Sequence, residues 1–241
     1  MTLDELQILL DISSGNELDI LSEHAHKTSY GYMFVDSSDR QCYLFNEHGK
    51  IDDISKVKSI GNYVFKYCTS LKNIIIPDLV KSIGYAAFAA CTSLKSITIP
   101  NSVESIGDYA FYNCTSLKNI IIPDSVKSIR DWTFVGCKSL KSIIIPDSVK
   151  SIGKSAFCNC TSLKSIIIPN SVKSIGRWAF ANCTSLRSIT IPDSVENIGK
   201  EAFYNYTFLK EVIFKGKTID QVNAMDDYPW SIEDTSIIKC R

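Results

Sequence analysis

Apolar and polar positions recur along most of this chain with a period of 23 residues, and one unit reads CTSLKSITIPNSVESIGDYAFYN, from Cys91 to Asn113. A leucine keeps this interval at Leu71, Leu94, Leu117, Leu140, Leu163, Leu186 and Leu209. A phenylalanine keeps it at Phe65, Phe88, Phe111, Phe134, Phe157, Phe180 and Phe203. Self-similarity at such a period predicts a solenoid of stacked units rather than one globular core, because each unit packs mainly against its neighbours.

Three short pieces are predicted within each unit. The first, Leu94 to Pro100, alternates apolar with polar residues and ends at a proline, a pattern typical of a short strand. The second, Val103 to Ile106, is predicted to be another short strand. The third, Gly107 to Cys114, begins with glycine and places its apolar side chains on one side of a predicted helical turn. Stacked units of this kind predict an α/β repeat solenoid with short parallel strands.

The first 50 residues do not follow the period and are predicted to be an N-terminal cap that covers the first unit. A capping-box pattern at Thr2 and Glu5 predicts one helix, and a second helix is predicted over Glu17 to His26. Two alternating runs, Tyr30 to Val35 and Gln41 to Phe45, flank a polar turn and predict a strand hairpin.

Residues 51–214 form the predicted solenoid of about seven units. The pattern fails in the last unit, where Tyr206 replaces cysteine and Lys215 replaces proline, so residues 215–241 are predicted to be the C-terminal cap. One internal unit is also irregular, because Arg130 stands at the glycine position and Thr133 at the alanine position.

Six of the nine cysteines occupy one equivalent position in successive units. They are Cys68, Cys91, Cys114, Cys137, Cys160 and Cys183. Their parallel side-chain directions do not favour disulfides, and a small thiol suits a buried packing position. We therefore expect a column of reduced core residues. Cys158 and Cys160 form a C-x-C pair, which is a weak metal signal without a second pair nearby.

Charge and hydropathy narrow the functional classes. The chain has 26 Lys plus Arg and 26 Asp plus Glu residues, so no general attraction to nucleic acid or anionic membranes is expected. The N-terminus lacks the basic start and apolar core of a signal peptide, and no apolar run is long enough to span a membrane. A cytoplasmic protein is expected, or a secreted or cell-surface protein if an export signal has been removed.

Written as a consensus, the unit is C-x-S-L-K-x-I-x-I-P-x-S-V-x-S-I-G-x-x-A-F, and six consecutive units match nearly every fixed position. From Val57 to Phe214 the chain therefore resembles the BspA-like, Treponema pallidum-type leucine-rich repeat family. The resemblance implies a curved, right-handed leucine-rich-repeat solenoid without catalytic residues. Several members of that family are surface proteins implicated in adhesion to host proteins, so the resemblance also makes a host surface protein a candidate partner.

Two columns of side chains are predicted to point outward from the first strands. The β-branched column consists of Ile75, Thr98, Ile121, Ile144, Ile167 and Thr190. The cationic column consists of Lys95, Lys118, Lys141, Lys164 and Arg187. The β-branched column is either an interaction surface or a consequence of strand propensity. The cationic column either binds a polyanionic partner or keeps the surface soluble.

The sequence gives weaker signals for other kinds of functional site. Tyr and Trp residues near the alanine–phenylalanine pair are either binding anchors or unconstrained exposed residues. They are Tyr63, Tyr85, Tyr109, Trp132 and Trp178, with Tyr112 and Tyr204. The three histidines, His24, His26 and His48, all lie before the repeats, and no third ligand accompanies the H-x-H pair. Nucleophile motifs, phosphate-binding glycine loops and zinc pairs are not recognisable, so no catalytic residue, cofactor or metal site is assigned.

The leading hypothesis is a non-catalytic interaction module that binds a protein partner, of unknown identity, on a concave strand face. The alternative is a secreted or surface adhesin or glycan binder that engages host molecules. A third alternative is an enzyme carried by the N-terminal cap, which turnover by residues 1–50 alone would reveal.

Overall fold

The computed structural model describes residues 58–241 and, before them, the backbone of three strands, numbered here along the chain. These are β1 (His26–Thr28), β2 (Gly31–Val35) and β3 (Cys42–Phe45), which pair antiparallel in the order β1-β2-β3. The pairing of β2 with β3 confirms the predicted hairpin. A strand begins at His26, where the second predicted helix was expected to end. The rest of that helix and the whole first helix lie outside the described residues.

Two stacks of short parallel strands build the solenoid, and each unit contributes one strand to each stack. The first-strand stack contains β5 (Asn73–Ile75), β7 (Ser96–Thr98), β9 (Asn119–Ile120), β11 (Ser142–Ile144), β13 (Ser165–Ile167), β15 (Ser188–Ile191) and β17 (Glu211–Phe214). The second-strand stack contains β4 (Ser59–Ile60), β6 (Ser82–Ile83), β8 (Ser105–Ile106), β10 (Ser128–Ile129), β12 (Ser151–Ile152), β14 (Ser174–Ile175) and β16 (Asn197–Ile198). Partners in successive units lie one period apart, as Ser142 opposite Ser165 does. The predicted parallel-strand repeat solenoid is therefore confirmed.

The segment predicted to be a helical turn is instead a series of tight turns. The N–H groups of Phe111 and Asn113 donate to the next unit, to Thr133 O at 2.9 Å and Val135 O at 2.7 Å. Only the alternate N–H groups donate within the unit, as that of Cys114 does to Phe111 O at 3.1 Å. An α-helix uses every N–H internally, so these bonds between units exclude one here. The prediction of helical turns is therefore wrong.

The core consists of columns of identical side chains that run along the stack. The phenylalanine rings of successive units are stacked with their centroids 5.0 to 5.9 Å apart. The six cysteines of the column are all buried. The thiols of the last five donate to phenylalanine carbonyls of the preceding unit, as Cys137 Sγ does to Phe111 O at 3.2 Å. The predicted packing role of these cysteines is confirmed.

Glycine recurs at the start of the turn segment because adjacent units approach closely there. A Cβ on Gly176 would lie 2.5 Å from Lys154 N and 2.6 Å from Gly153 C, which are backbone atoms that cannot move without shifting the whole unit. The requirement is therefore for space between units rather than for an unusual backbone conformation.

Arg130 occupies this glycine position in one unit, and the stacks are interrupted beside it. Strand β8 does not pair with β10, and in the first-strand stack only a single bridge, between Ile121 and Ile144, links β9 to β11. The Thr133 hydroxyl donates to Arg130 O at 2.8 Å, so the two irregular residues interact. We call the interruption between β8 and β10 the seam; a side chain at this position meets the backbone of the preceding unit, which accounts for it.

The tail packs against the last unit. Strand β18 (Ile238–Cys240) pairs parallel with β17, after helix α1 (Ile219–Asn223) and a 3-10 helix (Thr235–Ile237). Trp230 is buried with its ring 5.6 Å from that of Phe214, and its Nε1 donates to Asp226 O at 2.9 Å. These are the only helices among the described residues, and both follow the repeats.

Candidate interaction surface

The β-branched column lies in register along the first-strand stack. Adjacent members are Ile75 with Thr98, Ile121 with Ile144, Ile144 with Ile167, and Ile167 with Thr190. Its four isoleucines are 71% to 75% exposed, whereas their strand neighbours, such as Ile120 and Ile122, are buried. Successive side chains of a strand point to opposite faces, which produces this alternation. The outward orientation is confirmed for the isoleucines and Thr98; Thr190 is half-buried.

The cationic column lies beside the isoleucines, at the residue that follows each core leucine. Lys95, Lys118, Lys141, Lys164 and Arg187 are all exposed. Backbone bonds link two of the successive pairs: Lys118 N donates to Lys95 O and Lys164 N donates to Lys141 O, both at 3.0 Å. Within residues 58–241, none of these five cations forms an ion pair. Like charges on strands ~5 Å apart repel each other modestly, and an anionic partner would relieve that repulsion.

Carboxylates border the other side of the isoleucine column. Each follows the proline that ends a first strand, and the four are Asp78, Asp124, Asp147 and Asp193. All four are exposed. The face therefore carries cations along one border, isoleucines in the middle and carboxylates along the other. We call this surface the first-strand face.

The second-strand stack presents a different surface. Its exposed column mixes both charges, and Lys81 pairs with Glu104 at 3.3 Å while Lys173 pairs with Glu196 at 3.0 Å. Exposed ion pairs of this kind contribute little to stability. Lys127 and Lys150 are exposed on this surface in the same two units as Lys118 and Lys141, which makes them matched controls.

A third set of side chains, partly exposed, lies on the turn segments. Tyr63, Tyr109, Trp132 and Trp178 all stand two residues after the glycine position, with φ between 54° and 63°. An L-residue in this left-handed region costs roughly 1 kcal/mol. The rings of Tyr109 and Trp132 are stacked, with centroids 4.9 Å apart and planes at 14°. We call this set the aromatic column; Tyr85 joins it from one position earlier, 5.3 Å from Tyr109.

The sequence reasoning did not identify the interruption in this column. Ser155 stands at the aromatic position between the units of Trp132 and Trp178. The ammonium of Lys154 lies over both flanking rings, with its Nζ 4.7 Å from the Trp132 centroid and 5.5 Å from that of Trp178. An alignment of the units on their glycine position would have shown the order Trp-Ser-Trp.

The thiols of the cysteine column have raised pKa values and low reactivity. Burial raises the pKa of the Cys68 and Cys114 thiols to about 12, and it raises the pKa of Cys137, Cys160 and Cys183 well above the ordinary range. A thiol is a nucleophile or metal ligand as the thiolate, so these groups are poor at either role near neutral pH. Apart from Cys91, whose thiol donates to Phe65 O, the cysteines of the described residues are free thiols.

Neither a candidate metal site nor a membrane-spanning helix is present in the described part of the chain. No group of three or more His, Cys, Asp or Glu side chains there is arranged to hold a metal ion. Of the C-x-C pair, Cys160 is buried in the core column and Cys158 is half-buried outside it. His24 and His48 lie outside the described residues, and only the backbone of His26 is described. No described helix has the length and apolar character needed to cross a bilayer.

Comparison with protein families gives an extended match. The model of the "BspA type Leucine rich repeat region" matches residues 41–163 and 127–225, with six copies. The match therefore extends over most of the chain. No curated protein matches the sequence significantly.

Several solved bacterial structures are similar. A leucine-rich repeat protein from Bacteroides ovatus is 35% identical, with a TM-score of 0.65, over 77% of this chain and 44% of that one. The leucine-rich repeat protein of T. pallidum is 27% identical, with a TM-score of 0.63, over 77% of this chain and 90% of that one. A leucine-rich repeat protein from Eubacterium ventriosum is 30% identical, with a TM-score of 0.60, over 70% of this chain and 49% of that one. The chain thus spans less than half of the first and third of these proteins.

Proposed function

This chain belongs to the BspA-type leucine-rich repeat family, and we propose that it is a non-catalytic module that binds a protein partner along the first-strand face. Leucine-rich repeat proteins are typically interaction modules and generally non-enzymatic scaffolds. The observation that carries the proposal is the row of isoleucines, which are more than two-thirds exposed in adjacent strands. Contiguous exposed apolar side chains with a polar rim are typical of protein interaction sites.

The proposal includes the overall form that the resemblance implies. In a curved, right-handed solenoid with the first-strand face on its concave side, the columns of all units converge on one partner. Residues 1–50 and 215–241 are proposed to cap the two ends, so that the first and last units do not expose their apolar faces.

The charges on the face indicate the chemistry of the partner. A partner segment that places apolar side chains on the isoleucine column and acidic side chains over the cationic column would complement both columns. The five cations of that column lack carboxylate partners of their own among the described residues. Complementary charge mainly accelerates association and excludes wrong partners, whereas apolar burial supplies most of the affinity.

The first test changes Ile121 and Ile144 to Ser. Both side chains are largely exposed, so the fold should lose little stability. Burying each isoleucine against a partner contributes about 1 to 2 kcal/mol, so the double variant should bind roughly 30-fold more weakly or worse. Affinity capture with the unchanged protein identifies the partner, and calorimetry with that purified partner measures both dissociation constants.

The second test separates the two faces by charge. Lys118→Glu with Lys141→Glu should slow association with the partner and change its salt dependence, because the reversed charges lie on the proposed face. Lys127→Glu with Lys150→Glu introduces the same charge change in the same units on the other surface and should leave binding unchanged. Equal effects of the two double variants, or full affinity in the Ile→Ser variant, would refute the proposal.

Location decides which partners are available. Fractionation of the native cells with an antibody against this chain distinguishes the expected cytoplasmic protein from an exported one. A cytoplasmic signal directs the capture experiment to cell extract, and a surface signal directs it to host proteins.

A further inference from the structure

The aromatic column contains a gap one unit wide. Its floor is Ser155, and its walls are Trp132 and Trp178, which belong to the units on either side. Adjacent units are ~5 Å apart, so the two indole rings are separated by ~10 Å. That spacing leaves room for one further ring between them. The Lys154 ammonium lies over both indoles, and the Arg177 guanidinium lies over the Trp178 ring, with its Cζ 4.0 Å from the centroid.

The two walls differ in how they are supported. Trp132 stacks on Tyr109 on the side away from the gap, at 4.9 Å. Trp178 has no ring neighbour among the described residues, since Ser155 and Glu201 stand at the same position in the units beside it. Its φ of 57° is close to those of the residues at this position in the other units, such as Ser155 and Glu201, so this backbone conformation belongs to the repeat.

The charges around the gap disfavour a cationic ligand. Lys154, Arg177 and Lys200 follow one another in the column beside it, and Trp178 N donates to Lys200 O at 3.2 Å. Two carboxylates oppose them. Asp131 accepts the Lys154 backbone N–H at 2.7 Å, and Glu201 pairs with Arg177 at 3.1 Å. Lys154 is the cation that lies between the two indoles, and an anionic ligand group would pair with its ammonium.

The gap is wide enough for one ring. A ring at its centre would lie ~5 Å from each indole centroid, close to the 4.9 Å at which Tyr109 stacks on Trp132, so a ligand that also reaches the charged rim needs polar substituents around that ring. A pyranose chair fills this width, because axial hydrogens project from both of its faces. Its C–H groups would contact the two indoles, while its hydroxyl groups would reach the charged side chains at the rim.

From this geometry we propose that the gap between Trp132 and Trp178 binds an acidic sugar, a pyranose ring that carries a carboxylate. The ring displaces the Lys154 ammonium from between the indoles, and the ammonium then pairs with the sugar carboxylate. This site lies on the turn segments rather than the first-strand face, so it does not depend on the proposed protein partner. Uronic acids and sialic acids share the required chemistry.

The experiment titrates the full chain with trigalacturonate and with 3′-sialyllactose, and uses lactose as the neutral control. Calorimetry and saturation-transfer NMR report binding without relying on indole fluorescence. The main variant is Ser155→Trp, which fills the gap with the residue that both neighbouring units carry at this position. Ser155→Ala is the matched control. Trp178→Ala removes one wall and substitutes a residue that Ala86 shows to be compatible with the same backbone conformation.

Saturable binding of at least one acidic sugar is expected, with lactose at least tenfold weaker. Ser155→Trp and Trp178→Ala should each weaken it tenfold or more, and Ser155→Ala should bind as the unchanged protein does. The acidic sugar that binds more tightly shows whether the natural ligand is a uronate or a sialate. The proposal is overturned if neither sugar binds, or if Ser155→Trp binds as well as the unchanged protein. It is also overturned if only tetramethylammonium or uridine monophosphate, added as competing probes, occupies the gap.

Discussion

Replacing Gly176 with Ala tests whether close approach between units holds the solenoid together. The added Cβ would lie 2.5 to 2.8 Å from three backbone atoms of the preceding unit. No side-chain rotation relieves such a contact, so the second-strand stack must open locally. The chain already contains a natural version of this change, since Arg130 at the equivalent position coincides with the seam between β8 and β10.

The expected loss of folding stability can be worked out from the hydrogen bonds that the substitution would break. Gly176 N donates to Ile152 O and Lys173 N donates to Lys150 O, both at 2.8 Å. At the seam, the equivalent bonds from Arg130 and Lys127 to the preceding unit are absent, although both residues are described. Two lost bonds cost about 1 kcal/mol each, and more if their donors stay buried. Alanine also lowers the conformational entropy of the unfolded chain, which stabilises the folded protein by about 0.4 to 1 kcal/mol. The net destabilisation should be about 1 to 2 kcal/mol, and more if the freed donors stay buried.

Urea unfolding followed by circular dichroism measures this loss, and hydrogen exchange at the residue 176 amide locates it. Ser174→Ala, in the same strand and without added volume, is the matched control and should change stability by less than about 0.5 kcal/mol. A Gly176→Ala protein with an unchanged or higher unfolding midpoint, and with a protected residue 176 amide, would refute the reasoning.

Three further predictions follow from the core and the turns. Phe134→Ala should lower the free energy of unfolding in urea by about 3 to 5 kcal/mol, because this fully buried ring has stacked neighbours on both sides, at 5.5 and 5.4 Å. A decrease below about 1 kcal/mol would contradict this prediction. Asn182→Val should lower the folding stability by about 1 to 2 kcal/mol, whereas Asn182→Gly should change it little, because φ is 58° at this residue. Equal thermal midpoints of the two variants would contradict a left-handed conformation there. Cys114, whose pKa burial raises to about 12, should have a roughly 1000-fold smaller thiolate fraction than an ordinary thiol at pH 8. Mass spectrometry should find it modified by a disulfide reagent only in urea, and rapid native labelling would be the contrary result.

The buried columns could be predicted from the sequence because a repeat places equivalent residues beside one another. Once Ser142 is known to lie opposite Ser165, the positions of the leucines, phenylalanines and cysteines follow by translation along the stack. The outward position of Ile121 and Ile144 followed from strand alternation in the same way. The hairpin of β2 and β3 was likewise predictable, since two alternating runs flank a short polar turn.

The turn segments were not predictable in this way. Gly107 to Cys114 has the apolar spacing of a helical turn, and within one unit nothing contradicts that interpretation. The alternate N–H groups instead donate to the next unit, as Phe111 N does to Thr133 O, and this choice exists only once two units are in contact. The seam at Arg130 has the same origin, because a side chain there clashes only with a neighbouring unit.

The first-strand face shows the same division between sequence and structure. The sequence alone specifies the period, the parallel register and the inward or outward direction of each strand residue, since all three follow from repetition and alternation. Only the tertiary structure decides which cations lack carboxylate partners, where the stacks are interrupted and how Lys154 fills the space above Ser155. Those features depend on distances of ~5 Å between residues that are 23 or more positions apart. No single unit encodes such distances; the packing of neighbouring units sets them.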